Sequence, residues 1–204
     1  MLGLDGITTE DAESVKVILA SSSPRRTQLL AQIGVEHEVM VPETDESYPA
    51  ALNPGQVVET LALRKAWAVA KPGVQAWVIG ADTIVVKDGD IYGKPQDASD
   101  AKRMLRVLQG QRHEVFTGVA VLDAHGRSRI GHRRVNVDMA PVDERAVVSY
   151  VQSGEPLDKA GAYSVQGSGA RFVERIEGDY YAVVGLPLSM VARFLTELGY
   201  HFSG

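Results

Sequence analysis

Two arginines, Arg25 and Arg26, follow three serines in the stretch ILASSSPRRTQLLAQIG, and their position poses a problem of charge. Ser23 suits a helix cap and Pro24 the first helical position, so the pair falls in the first turn. That end of a helix already carries partial positive charge, so two guanidinium groups there are misplaced unless something negative joins them. A solvated surface pair is the plain alternative. A bound anion, phosphate above all, resolves the conflict through backbone N–H groups, the Ser23 hydroxyl and the guanidinium forks.

Other residues stand in equally awkward places. Asp82 interrupts the apolar run WVIGADTIVV, and burying an unpaired carboxylate costs several kcal/mol, so it needs a partner, a metal or a site. The alternative is a strand-end aspartate capping a neighbouring turn; Gly80 favours a site, because it lets a backbone or ligand approach closely. Lys65 shares a helical stripe with Val58, Leu61 and Val69, and either snorkels to solvent or points into a cleft. Lys94, between a glycine and a proline, and the acidic group Glu43, Asp45 and Glu46 read first as wet loops. Beside a cationic pocket, however, such carboxylates can hold Mg²⁺ and let it bridge phosphates. Gln166, with an amide donor and acceptor, is suited either to the edge of a base or to an ordinary backbone hydrogen bond. His37, His113, His125, His132 and His201 show no metal-ligand spacing, and none is assigned a catalytic role. Taken together, four cations, the carboxylates and an amide suit a nucleoside triphosphate with a divalent metal.

The elements that must position these residues alternate along the chain. A strand near 16–20 leads to a helix near 24–33 closed by Gly34, and VEHEVMV alternates like a strand with one buried face. After the acidic loop, Asn53-Pro54 opens a helix to about Ala70, stopped by Pro72-Gly73. The run WVIGADTIVV is a nearly continuous apolar strand, turned at Asp88-Gly89, and a further helix ends at Gly110. Two long strands, HEVFTGVAVLD and RIGHRRVNVDM, join through His125-Gly126. Asp143 then caps a helix to about Gln152. A long loop leads into RFVERIEGDYYAVVG, read as a hairpin turning at Glu177-Gly178, and Pro187 starts a last helix. The expected class is α/β with a mixed sheet, parallel early and antiparallel late. Residues 1–14 read as a polar arm and 15–204 as one domain.

The 204 residues carry a net charge of −5, against nonspecific nucleic-acid binding. There is no cysteine, hence no disulfide framework, thiolate metal site or thiol nucleophile. The N-terminal stretch is acidic where a signal peptide needs positive charge, and no apolar run approaches membrane-spanning length. A cytoplasmic protein with no membrane association is expected.

The stretches LASSSPRRTQLL, Asp45-Glu46, LALRKAWAV, GADTIVV, YGKP, MLRVLQGQRHEVFTGVAV, SGEPLDKAGAYSVQG and GDYYAVVGLPL together resemble the Maf family, in order, from about Val17 to Leu198. Ala182 departs from many members, which carry Asn there. The resemblance implies a two-lobed α/β fold around a long curved mixed sheet, akin to inosine triphosphate pyrophosphatase, with the cleft between lobes. It also implies homodimers and hydrolysis of a nucleoside triphosphate between the α and β phosphates. Carried over, Asp82 is the general base, Arg26, Lys65 and Lys94 hold the triphosphate, and Glu46 with Asp82 lies near a divalent metal, Mg²⁺ or Mn²⁺. Arg25, Thr83 and Gln166 match the branch acting on dTTP and UTP rather than the one acting on 7-methyl-GTP. A Gln amide can pair with N3–H and O4 of uracil or thymine, whereas Glu suits the two donors of guanine. The competing reading is a nucleotide-binding cell-division regulator that needs no hydrolysis. Asp82 speaks against it, because a pure binding module has no need of a carboxylate beside phosphate ligands.

Overall fold

The computed structural model describes residues 16–70 and 75–202. The polar arm expected at 1–14 and the helix stop expected at Pro72-Gly73 lie outside them. Seven strands form one mixed sheet: β1 (Lys16–Ala20), β2 (Glu38–Met40), β3 (Ala76–Lys87), β4 (Asp90–Tyr92), β5 (Arg112–Leu122), β6 (Ser128–Met139) and β7 (Val173–Glu177). The order is β2-β1-β3-β5-β6-β7, with β4 also on β3. Pairs β1–β2 and β1–β3 are parallel, and the rest are antiparallel.

One detail of the register makes the site. Along one edge of β3, Ala76 to Gly80 pair with β1, and Val85 to Lys87 pair with β4. Between them, Ala81 to Ile84 are paired only on the other edge, by β5. The chain leaving β1 and the chain leaving β4 thus approach the same gap from opposite ends. The first carries Ser21 to Arg26 and the second carries Lys94. Ligands of α/β sheets bind in such forks.

Among the described residues six α-helices cover the sheet: α1 (Pro24–Gln32), α2 (Pro54–Val69), α3 (Ala98–Leu108), α4 (Glu144–Gln152), α5 (Tyr180–Val184) and α6 (Leu188–Glu197). On one face α2 presses Val58, Leu61, Ala62 and Ala66 onto β3 and β5. Asn53 opens α2 with a reciprocal capping box to Gln56. Its approach is close because two strand residues lack side chains. A Cβ on Gly80 would stand 2.1 Å from the Ala62 carbonyl oxygen, and one on Gly118 would stand 2.4 Å from that of Val58. On the opposite face lie two apolar clusters. Ile79, Ala81 and Val119 pack with α1 and α6, and Val85 and Val115 pack with α3 and α4. Thr83, midway along β3 on that face, falls between them.

Two expectations are corrected. The segment after β7 is not the second arm of a hairpin: Tyr180–Val184 is a helix, and the Asp179 side chain accepts from the N–H groups of Tyr181 and Ala182. The β-propensity of Tyr-Tyr-Ala-Val-Val gives way to this cap and to packing against β5 and β6. VEHEVMV pairs only over Glu38–Met40, and Val39 and Val41 are exposed, because β2 is an edge strand that among the described residues pairs with β1 alone. The long loop before β7 folds into short 3-10 turns at Glu155–Asp158, Ala160–Ala162 and Gly167–Phe172.

Candidate active site

An open cavity of about 250 Å³ occupies the fork. Its walls include Ser23, Arg25, Arg26, Glu46, Lys65, Asp82, Thr83 and Lys94, so the structure gathers all the candidate site residues except Gln166. Side chains alternate along a strand, so Asp82 and Thr83 leave β3 on opposite faces. Each meets a different helix, and the gap opens both to one cavity.

On the α2 side, Lys65 Nζ donates to Asp82 Oδ1 at 2.5 Å and lies 3.0 Å from Glu46 Oε1. Its side chain is 12% exposed and Asp82 as a residue is 8% exposed. The lysine therefore points into the cleft rather than snorkelling away. Neighbouring Arg64 pins the acidic loop by donating to the carbonyl oxygens of Asp45 and Ser47, which presents Glu46 to Lys65. Bonding to Lys65 holds the Glu46 carboxyl below its usual range, against the opposing effect of burial. Glu43 is exposed and Asp45 caps Ser47, so Glu46 alone of the acidic group lines the cavity.

On the α1 side, Arg26 donates to the Gly185 carbonyl at 2.8 Å, to Ser21 Oγ at 3.3 Å and to Thr83 Oγ1 at 3.1 Å. Thr117 donates to the Ala182 carbonyl at 2.7 Å, which can only accept, so Thr83 donates to Thr117 and accepts from Arg26. A buried relay thus fixes the guanidinium by neutral acceptors. Among the described residues no carboxylate lies within 4 Å of it. Burial lowers its pKa, partly offset by Asp82. A partly desolvated cation without an anionic partner is poised for one. The Ser23 hydroxyl makes no capping bond to α1, so it too is uncommitted.

The remaining wall comes from the 155–172 segment. Asp158, Lys159, Tyr163 and Ser164 line the cavity. Arg25 lies 3.6 Å from Asp158, which itself accepts from Lys159 at 2.6 Å, so the first turn of α1 and this segment face each other. Burial pushes the Asp158 carboxyl up, but Lys159 and Arg25 outweigh it and hold the group low. The Gly161 N–H bonds to the Gly93 carbonyl beside Lys94, which ties the segment to the other lip. Gln166 lies just past the lining residues Ser164 and Val165, and its side chain does not cap the turn that it opens. Sequence reasoning assigned no role to Lys159, Ser21 or Thr117. Lys159 carried the one usable signal, a cation in a Gly- and Pro-rich loop.

Mg²⁺ is content with one or two carboxylates and completes its shell with water and substrate oxygens. Glu46 and Asp82, converging on one ammonium, fit that pattern. Among the described residues no three His, Asp or Glu side chains gather closely enough to hold a metal unaided.

The chain is similar to known proteins over most of its length. A dTTP/UTP pyrophosphatase of Pelotomaculum thermopropionicum is 48% identical over 187 residues, covering 91% of this chain and 98% of its own. Another, of Symbiobacterium thermophilum, is 49% identical over 185 residues, covering 91% and 95%. The solved structure of a HAM1 protein from Coxiella burnetii is 16% identical, covers 90% of this chain and 99% of its own, and superposes with a TM-score of 0.49. The model of the Maf-like protein family matches residues 16–198, every strand and helix described above, and the chain therefore belongs to the Maf family.

Proposed function

We propose that the chain is a nucleoside triphosphate pyrophosphatase that hydrolyses dTTP and UTP to the monophosphate and pyrophosphate. One observation carries this: a buried carboxylate, Asp82, sits in a sheet gap beside Lys65, with Arg26 held ready for an anion across the same cavity. The named activity of relatives at 48–49% identity supports the substrate class. Asp82 Oδ1 is engaged by Lys65, which leaves Oδ2 to orient a water and take its proton as that water attacks the α-phosphorus. The bond from that phosphorus to the bridging oxygen breaks, and pyrophosphate leaves. Arg26, Lys65 and Lys94, with the Ser23 hydroxyl, neutralise charge on the phosphates in a partly desolvated cleft. Glu46 and Asp82 would hold a divalent metal, Mg²⁺ or Mn²⁺, which when bound supplies charge neutralisation on the phosphate oxygens. Gln166 reads the uracil or thymine edge, with Arg25 and Thr83 coupling base recognition to the placement of the α-phosphate.

In this reading the two apolar clusters are the two lobes of one domain, 15–204, and the protein works as a cytoplasmic homodimer. Pyrophosphate release across a nucleotide panel tests the proposal. The wild type should favour dTTP and UTP over GTP and 7-methyl-GTP, and Asp82→Asn should lower turnover about 10²-fold or more with the fold intact. A preference for 7-methyl-GTP, or near-normal turnover in Asp82→Asn, refutes it.

A further inference from the structure

The segment 155–172 holds the proposed base reader, yet it has almost no regular structure to fix it. Around Gln166 its hydrogen bonds converge on one side chain. Glu155 Oε1 accepts from Tyr150 Oη at 3.1 Å and from the Gly169 N–H at 3.1 Å. Its Oε2 accepts from the Ser168 N–H at 3.1 Å and from Ser168 Oγ at 2.6 Å. Tyr150 is almost wholly buried, and its hydroxyl in turn accepts from the Ser164 N–H at 3.2 Å. Ser164 Oγ then accepts from the Gln166 N–H at 3.1 Å. Gln166 is therefore anchored on both sides, through Ser164 before it and Ser168 after it, and both anchors lead to one carboxylate.

We infer that Glu155 is a positioning residue for base selection: by clamping the backbone on both sides of Gln166 it fixes where that amide meets the base. The inference rests on the reading of Gln166 given above. Burial pushes the Glu155 carboxyl up, but the donors from Ser168, Gly169 and Tyr150 outweigh it and keep the group ionised. An ionised carboxylate accepts at both oxygens, whereas the amide of glutamine accepts at one and must turn N–H groups toward N–H groups at the other. Glu155→Gln thus keeps the shape and breaks half of the clamp.

The test measures kcat/KM for UTP and CTP with the full-length protein, together with thermal stability. Cytosine presents an acceptor at N3 and a donor at C4 where uracil presents the reverse, so the UTP/CTP ratio reports how well the amide is placed. In Glu155→Gln the ratio should fall about 10-fold, mainly through KM for UTP, with kcat within about threefold of wild type. Adding Gln166→Ala to that variant should lower it little further. A merely structural role would lower stability and both activities together and leave the ratio unchanged, and that outcome overturns the inference. If Gln166→Ala lowers the ratio while Glu155→Gln does not, the clamp is refuted and base reading by Gln166 stands. If Gln166→Ala itself leaves the ratio unchanged, the base reading is refuted and the clamp falls with it. Should Glu155→Gln fail to fold, Tyr150→Phe removes only the arm toward Ser164, and an unchanged ratio there overturns the inference equally.

Discussion

The two ends of the cleft are built on different principles. The phosphate end is made by the register of the sheet: β1 and β4 stop short of each other on β3, and the fork delivers Arg26 and Lys94 toward Asp82. Each side chain there is held by an element of its own, Lys65 by α2 and Arg26 by α1 and the threonine pair. The base end is made by side chains. Of three short 3-10 turns, Glu155 joins the first to the third, the Gly93 carbonyl holds the second, and one hydrogen bond, 2.7 Å, between His113 Nε2 and the Tyr163 hydroxyl stitches the segment to β5. Phosphate is common to all nucleotides and can be met by a rigid frame. The base differs between them, and an irregular segment clipped onto that frame can change without disturbing the sheet.

Three measurements would break or sharpen this contrast. The largest effect belongs to the frame. Lys65→Met keeps the apolar stem and removes the charge, and kcat/KM should fall about 10²-fold or more, equally for UTP and dTTP. A variant of near wild-type activity would mean that Asp82 needs no cation beside it. A smaller loss is expected from Thr117→Val, which cuts the relay behind Arg26 and orphans the buried Ala182 carbonyl. The drop in kcat/KM should be roughly 10-fold, independent of the base, as one unpaired buried group costs about 1–3 kcal/mol. A base-dependent loss would mean that the coupling of Thr83 to the base runs through this relay.

The third measurement concerns the stitch and leaves turnover aside: it is read as stability against pH. Burial lowers the His113 imidazole pKa to about 4 from its ordinary 6.5, and among the described residues Nδ1 is buried without a partner. Between pH 6.5 and about 4 the unfolded chain therefore binds a proton that the folded protein refuses. Stability is full above 6.5 and is lost as pH falls toward 4, a change on the order of 3 kcal/mol. Denaturant unfolding of wild type and His113→Gln at pH 7 and pH 4.5 checks this. The acid loss should be shallower in the variant, and equal slopes would exclude His113 as its source.

The same contrast decides what could be read from the sequence. Asp82, Lys65 and Arg26 were legible because each is a charge in a context that resists it, an apolar strand, an apolar stripe and a helix N-terminus. Long strands and capped helices were legible from their periods. The gap in the sheet was not, because it depends on which strands pair and where they stop, and no local pattern records that. The clamp around Gln166 was invisible for a related reason: Glu155, Ser164 and Ser168 are ordinary loop residues until the fold sets them around one carboxylate. The misread hairpin at 171–185 shows the limit of propensity, since Asp179 marked a helix cap and the aromatic and β-branched residues after it argued the other way.

The bare backbone at Gly80 and Gly118 has a consequence for anyone wishing to harden this protein against heat. Replacing strand glycines by valine or threonine is a natural route to a stiffer sheet, since glycine is a poor strand former. Here both positions lie under α2, with backbone atoms 2.1 and 2.4 Å from where a Cβ would stand. Any such replacement lifts the helix off the sheet and carries the Lys65 ammonium away from the strand that bears Asp82. Thermal hardening of this fold has to leave these two positions untouched, because beneath α2 a gain in strand propensity and a loss of turnover would be one event.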